Sequence, residues 1–497
     1  MSSPFTDLNL AISSHSTLHQ DGDWFGLAHL AEEDRLVILA RPDAAWLAEF
    51  DGETSESGSR LLKVCPLSAQ NAAALRSRLA WLQPHPLGLA TSAGMGDRLG
   101  LATPGHVRAL RAVSGRIAPI FSQQSIRENA RTGRTPRQVL DDATWGAFSE
   151  GWQGPLGADA DHLKTPEDID SCLAAGYSFF TIDPGAYVDN RAETADLSAL
   201  RQLAGELPAE IQPCAGGLLG RSFSIEHLQI TFDEPTLLRA AVKYGRAVLH
   251  VANMYRHLVQ AAGPLPVEME VSVDETEQPT SHAEHIYIAS ELTRLGVHWV
   301  SLAPRFVGRF EKGVDYIGDL AAFRADLAGH AAIARHFGPY KLSLHSGSDK
   351  FSIYAAAAEL TNGLVHLKTA GTSYLEALRT VARLDVPFLR EIYTFALQNY
   401  PTDRVSYHVS AEQSRAPRPE AVSDWPGLLD QFDAREILHV TFGSVLTRRD
   451  QAGKPLFFDH LMRILRGNSE AYAASLEKHF IRHLSPFARW AKSSPTE

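Results

Sequence analysis

The sequence contains little cysteine. Three cysteines, Cys65, Cys172 and Cys214, are scattered over 497 residues with no Cys-x-x-Cys pair. This spacing argues against a disulfide framework and favours reduced thiols in the cytoplasm. The N-terminus has early acidic residues and no basic segment followed by a long apolar core, so we expect no secretory signal.

Long apolar runs and a basic surface are also missing. Nowhere do about 18 consecutive apolar residues occur, the length that a membrane-spanning helix needs. The net charge of −11 and the lack of a basic stripe argue against a nucleic-acid surface, because phosphates bind clustered Lys and Arg. We expect a small-molecule partner, with no membrane or nucleic acid, and the sequence leaves a homo-oligomer open.

Nucleotide-binding motifs are weak or absent. The Walker A, Gly-x-Ser-x-Gly and His-Glu-x-x-His motifs do not occur. The segment GMGDRLG, Gly94–Gly100, resembles a dinucleotide-binding loop only superficially, because its spacing is GxGxxxG and no long helix follows directly. We therefore expect no nucleotide cofactor.

Eight short apolar runs alternate with helical segments between about residue 87 and residue 382. They are LGLATS, IAPIFSQQ, PLGADADHL, YSFFTID, PVEMEVSV, VHWVSLAP, YKLSLH and LVHLKT. Strands that alternate with helices indicate parallel βα units, and eight of them predict a closed (β/α)8 TIM-like barrel of the α/β class. A doubly wound open sheet is the alternative.

Segments of different character accompany the barrel. Residues 1–85 predict an N-terminal α+β cap with two strands, WFGLAHL and RLVILA, and one helix. Residues 86–382 form the predicted catalytic barrel, with an insertion at 187–263 after the fourth strand. Residues 383–497 predict a mostly helical C-terminal extension, in which RVSYHVS and ILHVTFGSVL suggest one strand pair.

Six of the apolar runs end in titratable residues. These are His162 and Lys164, Asp183, Asp274, Arg305, His345, and His366 and Lys368. The carboxyl ends of barrel strands meet at the face where such enzymes bind substrates, so these residues predict one shared site. The polar segment after His345 adds Asp349 and Lys350 and is typical of an anion-binding loop.

Strand parity selects the inward-facing residues, because alternate side chains of a strand share a face. The run PVEMEVSVDET places Glu268, Glu270, Ser272 and Asp274 on one polar face. The same rule turns His345, His366, Asp183 and His162 inward, and it turns Ala158 and Ala160 inward with His162. A carboxylate inside the barrel is costly unless it meets a cation or a metal.

Imidazoles and carboxylates together are the ligands of a divalent metal such as Mn, Ni, Co or Zn. From parity we expect four residues near the metal: His162, Glu270, His345 and His366. Asp183 and Asp274 are the acid/base candidates. The alternative is an interior network in which the histidines and acids satisfy one another.

Several longer strings resemble the bacterial tagaturonate epimerase family. They include DADHLKT (Asp159–Thr165), TIDP (Thr181–Pro184), EVSVDETEQPTSHAEH (Glu270–His285), LAPRFVGRFEKGVDYIGD (Leu302–Asp319) and KLSLHSGSDKF (Lys341–Phe351), and the resemblance spans roughly residues 90–450. It implies a metal-dependent epimerase that interconverts D-tagaturonate and D-fructuronate in hexuronate catabolism, with some action on ketohexoses. The expected substrate contacts are Arg305, Asp349, Lys350 and Lys368. For Arg305 and Lys350, the alternative is a salt bridge at the rim.

The implied reaction explains why a metal is expected. The two ketouronates differ at a carbon whose C–H bond the ketone does not acidify, so simple enolisation cannot invert it. Transient oxidation would need a nicotinamide, whereas retro-aldol cleavage and re-addition need a stabilised enediolate, which a divalent metal supports as a Lewis acid. Two other classes stay open: another metal-dependent sugar aldolase or isomerase, and a non-catalytic sugar-acid sensor.

Overall fold

The structure, a computed structural model, describes residues 5, 8, 10, 12–30, 33–113, 116–213 and 217–491. Cys65 and Cys172 are buried free thiols. Cys214, also predicted to be reduced, lies outside the described residues. Among the helices of the described ranges, none is long and apolar enough to span a membrane.

An antiparallel sheet and one helix precede the barrel. The elements are β1 (Leu18–Gln20), β2 (Asp23–Leu30), β3 (Glu33–Ala40), β4 (Glu53–Ser57), β5 (Arg60–Pro66) and α1 (Ala69–Arg78). The strand order is β1-β2-β3-β5-β4. The two runs that predicted strands here correspond to β2 and β3.

Eight parallel strands close a barrel, as the sequence predicted. They are β6 (Ser92–Gly94), β7 (Ala118–Ser125), β8 (Gly157–Leu163), β9 (Phe179–Ile182) and, after a separate hairpin of β10 (Ser222–Ile225) and β11 (Leu228–Thr231), β12 (Glu268–Val273), β13 (Ser301–Pro304), β14 (Lys341–Leu344) and β15 (Val365–Lys368). β6 begins at the last residue of its predicted run, and the other seven strands lie almost entirely within theirs. Pairing of β15 with β6 closes the ring.

Helices surround these strands. They are α2 (Thr103–Ala112), α3 (Ile126–Thr132), α4 (Pro136–Ser149), α5 (Pro166–Ala175), α6 (Leu197–Gly205), α7 (Glu234–Ala262), α8 (His282–Arg294), α9 (Leu320–Phe337), α10 (Tyr354–Leu360) and α11 (Thr372–Leu384). Local sequence sets their ends. In α5, Thr165 and Asp168 cap each other's backbone N–H groups, Pro166 takes the first helical position, and Gly176 ends the helix with a φ of 101°.

The long helix α7 has a role that the sequence interpretation did not give it. It packs between α5 and α8, so it occupies the place of the barrel's fourth outer helix. The segment predicted as an insertion, 187–263, therefore contains a regular barrel helix. The added part consists of α6, the β10–β11 hairpin and the short turns around them.

The C-terminal segment is helical, with α12 (Val386–Asp403), α13 (Trp425–Leu428), α14 (Phe432–Val440), α15 (Phe442–Thr447), α16 (Phe458–Gly467) and α17 (Ser469–Ala488). The predicted strand pair is wrong. ILHVTFGSVL covers the end of α14 and most of α15, and RVSYHVS begins with a short 3-10 helix. The β-branched and aromatic residues of ILHVTFGSVL suggested a strand, but packing of α14 against α11 and α12 places them in helices. α17 packs on α2 and α11 and so covers the barrel's outer layer.

Candidate active site

A polar cleft opens at the carboxyl ends of the barrel strands. Residues at the ends of β8, β14 and β15 line it, together with residues of α3, of the loop after β13 and of the C-terminal extension. The cleft therefore lies where barrel enzymes place their catalytic groups.

Two acidic residues of β8 face the barrel interior. Asp159 and Asp161 lie 2.8 Å and 2.7 Å from the Lys368 ammonium, whereas Ala158 and Ala160 pack in the hydrophobic core. The parity prediction for this strand is therefore wrong for the two alanines, and it missed both aspartates.

His162 reaches the same side as its neighbour Asp161 because the strand becomes irregular. The pairing of β8 with β9 shifts before Leu163, and His162 has a left-handed φ of 56°. A non-glycine residue in this region is uncommon and marks a site that the surrounding structure holds in place. Strand parity cannot locate such a residue.

His162, Asp274 and His345 converge at the edge of the cleft. Their candidate ligand atoms lie within 4.8 Å of one another. Asp274 Oδ1 is 3.0 Å from His345 Nδ1 and 3.9 Å from His162 Nε2. Two of the three were predicted as metal ligands and the third, Asp274, as an acid/base residue.

The second nitrogen of each imidazole meets a buried carboxylate. His162 Nδ1 is 2.8 Å from Asp161 Oδ1, and His345 Nε2 is 2.6 Å from Glu270 Oε1. Such partners fix the orientation and tautomer of a metal-binding histidine. Burial opposes the charged form of His345, but Asp274 and Glu270 outweigh it and raise the pKa of this residue to about 10.

Lys368 lies at the centre of the acidic groups. Its ammonium is 2.8 Å from Glu270 and also contacts Asp159, Asp161 and the Thr181 hydroxyl. Burial lowers the pKa of Lys368, but the surrounding carboxylates raise it well above the ordinary lysine value. The side chain lines the cleft, so this protonated ammonium and its carboxylate partners border any ligand bound there.

Two other predicted residues lie away from the His162 group. His366 is fully buried inside the barrel, below the cleft. Its Nδ1 lies 2.9 Å from the Ser92 hydroxyl and its Nε2 lies 3.9 Å from Asp159. Asp183 accepts the N–H of Gly185 and lies 3.2 Å from Lys164. Neither side chain lines the cleft.

The predicted substrate contacts after β13 and β14 are engaged elsewhere. Lys350 is fully buried and donates to the carbonyls of Glu311, Val314 and Ser348. Asp349 lies 2.8 Å from Arg435 and 2.6 Å from His479, and Arg305 donates to the Thr276 carbonyl. None of the three predicted residues lines the cleft. Proximity to a strand end in the sequence did not reveal that these groups point into the protein.

Four basic residues that the sequence interpretation did not select line the cleft: Arg98, Arg127, Arg131 and Lys312. Arg98 pairs with Glu128, Arg127 with Glu275, and Arg131 with the Tyr407 hydroxyl. Within the described part of the chain, the Lys312 ammonium forms no hydrogen bond or ion pair. These residues lie on α3 and on loops, so strand position gave no signal for them.

Eight parallel strands with titratable side chains gathered at their carboxyl ends define the class of this protein: it is a (β/α)8-barrel enzyme. The tagaturonate epimerase family model matches residues 14–487. The chain therefore belongs to the tagaturonate epimerase family and is an epimerase, a type of isomerase. This confirms the resemblance that its sequence strings indicated.

Known relatives resemble the chain over nearly its whole length. It is 44% identical over 456 residues to the tagaturonate/fructuronate epimerase of Thermotoga maritima, with 91% of this chain and 92% of that protein covered. It also matches crystal structures of the fructuronate-tagaturonate epimerase UxaE from Cohnella laeviribosi, both native and in complex with glycerol. Each match has a TM-score of 0.91 and 37% identity and covers 98% of both chains.

Proposed function

We propose that the protein interconverts D-tagaturonate and D-fructuronate with a divalent metal ion held by His162, Asp274 and His345. The observation that carries this proposal is the convergence of these three side chains beside the cleft of a chain in the tagaturonate epimerase family. The earlier expectation of a cytoplasmic location agrees with a substrate from hexuronate catabolism and stays a prediction.

The donor set fits a divalent metal. Two imidazoles and one carboxylate suit Mn, Ni, Co or Zn, and Asp161 and Glu270 support the other imidazole nitrogens. We accordingly assign Glu270 to holding His345 rather than to binding the metal. Bound there, the ion would supply Lewis-acid stabilisation of negatively charged substrate oxygens.

Two lysines are assigned to the negatively charged groups of the substrate. Lys312 lines the cleft without a partner in the described structure, so we place the substrate carboxylate against it. Lys368, kept protonated by its acidic neighbours, donates a hydrogen bond to the oxygen that becomes negative during the reaction. A neutral ketohexose would lack the Lys312 contact and would bind more weakly.

The chemistry that agrees with this site is retro-aldol cleavage and re-addition. The hydroxyl on C4 loses its proton, the C3–C4 bond breaks, and C1–C3 becomes an enediolate while C4–C6 becomes an aldehyde. The aldehyde turns its other face, the bond re-forms, and the oxygen on C4 regains a proton. As the proton acceptor, Asp161 in the cleft is better placed than Asp183, which lies beside Lys164.

The test starts from each substrate separately. Either D-tagaturonate or D-fructuronate, incubated with the protein, should reach the same mixture of both by NMR. His345→Ala should abolish this conversion, whereas His298→Ala, which changes an exposed histidine, should not affect it. Failure of the unmodified protein to convert either sugar acid would refute the proposal.

A further inference from the structure

A second group of metal-ligand side chains lies on the outer layer of the barrel. His282 begins α8, and Asp326 and His330 lie one turn apart on the neighbouring α9. Their candidate ligand atoms lie within 4.8 Å of one another, and none of the three lines the cleft.

The spacing of the three groups matches a tetrahedral metal. His282 Nε2 and His330 Nε2 each lie 3.6 Å from Asp326 Oδ1. Zinc bonds of the usual length place neighbouring tetrahedral ligands about 3.3 Å apart. The side chains of His282 and Asp326 are 25% and 13% exposed, so water can take the fourth position.

His330 is held as a ligand would be. Its ring is fully buried, and among the described residues Nε2 has no hydrogen-bond partner. Its Nδ1 lies 2.9 Å from His285 Nδ1, and His285 Nε2 lies 2.8 Å from the Tyr340 hydroxyl. When His330 donates through Nδ1, this series of hydrogen bonds leaves the lone pair of His330 Nε2 directed at the site.

The backbone of α9 leaves space for the His282 ring at Gly329. A Cβ atom at Gly329, in the interior of α9, would lie 2.3 Å from the His282 ring. Glycine costs about 1 kcal/mol relative to alanine inside a helix, and here it provides the space for the imidazole. His282 Nε2 also lies 3.0 Å from the Asp326 carbonyl, so metal binding would exchange that hydrogen bond for a metal bond.

We propose that His282, Asp326 and His330 form a second, structural site for a zinc-like divalent cation on the flank of the barrel. The ion links α8 to α9. Asp326 extends the link to the loop after β13, because its Oδ2 accepts the N–H of Val307. The ion thus stabilises the loop that also carries Lys312.

Metal counting tests the site. Protein stripped by chelator and titrated with Zn²⁺ should bind one ion fewer per chain in His282→Gln and Asp326→Asn than in the unmodified protein, or bind that ion at least about tenfold more weakly. Zn²⁺ should raise the melting temperature of the unmodified protein and have less effect on these variants. His336→Gln, an exposed histidine of the same helix, serves as the matched control.

A His345→Ala background separates this site from the proposed active-site metal. In this background Zn²⁺ should still bind, and Co²⁺ should give the visible absorption of a tetrahedral complex until His282→Gln is added. The same zinc count, affinity and thermal shift in His282→Gln and Asp326→Asn as in the unmodified protein would overturn the proposal. Loss of all zinc binding in His345→Ala would overturn it as well.

Discussion

The buried Lys350 ammonium donates a hydrogen bond to the carbonyl oxygen of Glu311 at a distance of 2.7 Å, and a second one goes to the Val314 carbonyl. These two carbonyls flank Lys312, the residue that we place against the substrate carboxylate. Lys350 therefore positions the loop that carries Lys312, and the two lysines should respond differently to substitution.

Lys312→Met should impair the use of ketouronates without unfolding the protein. A hydrogen bond to a charged group contributes about 1.5–3 kcal/mol, so kcat/KM should fall roughly 10- to 150-fold. Activity on a neutral ketohexose, where detectable, should change little. Arg309→Met removes a charge from an exposed side chain of the same loop and is the control; equal losses in both variants, or for both classes of sugar, would contradict the assignment.

Lys350→Met should act mainly on stability. It leaves three buried carbonyls without their donor, and each unsatisfied group costs about 1–3 kcal/mol. We expect a clearly lower free energy of unfolding in a denaturant titration, and a higher KM because the Lys312 loop loses its anchor. Lys478→Met, on the exposed face of α17, should leave both quantities unchanged. Unaltered stability in Lys350→Met would be evidence against the anchoring role.

Glu436 should give the stability a characteristic pH dependence. Burial and the nearby Glu311 raise the pKa of this carboxyl to about 8, whereas the unfolded chain has a glutamate pKa of about 4.3. Between these values the unfolded state releases the proton and the folded state keeps it. The contribution of Glu436 to stability is therefore full below about pH 4.3 and decreases until about pH 8.

Glu436→Gln should remove this component. The amide stays neutral, and its oxygen can still accept the N–H of Ala411, which lies 3.1 Å from Glu436 Oε2. The loss of stability between pH 5 and pH 8 should be smaller in this variant than in the unmodified protein. Glu391→Gln, an exposed control, should follow the unmodified curve. Parallel curves for Glu436→Gln and the unmodified protein would rule out the raised pKa.

The proposed cleavage mechanism predicts the labelling pattern of the products. Turnover in D2O should leave C4 without deuterium, because no proton is removed from that carbon, and a carbon isotope effect should appear at the C3–C4 bond. Transient oxidation would also leave C4 unlabelled, so the active protein should be analysed for bound nicotinamide. Deuterium at C4 would exclude the cleavage route. Tightly bound NAD in the active protein would instead support transient oxidation.

The sequence predicted the barrel because buried parallel strands form apolar runs whatever their tertiary partners are. It failed at ILHVTFGSVL, where packing against α11 and α12 decides between strand and helix. It located His162 and His345 at strand ends, but regular alternation could not anticipate the left-handed backbone at His162. Whether a lysine faces the cleft, as Lys312 does, or anchors a loop, as Lys350 does, depends on contacts between segments distant in sequence.

The most direct test of this account is the metal dependence of epimerisation, followed by NMR from D-tagaturonate. Metal-free protein should be inactive, and stoichiometric Mn²⁺, Co²⁺, Ni²⁺ or Zn²⁺ should restore activity. Glu270→Gln should need about 10- to 100-fold more metal for the same recovery, because it loses a supporting carboxylate. His345→Ala should not recover at any metal concentration. Full activity of the metal-free protein, or recovery of His345→Ala to the level of the unmodified protein, would contradict the account.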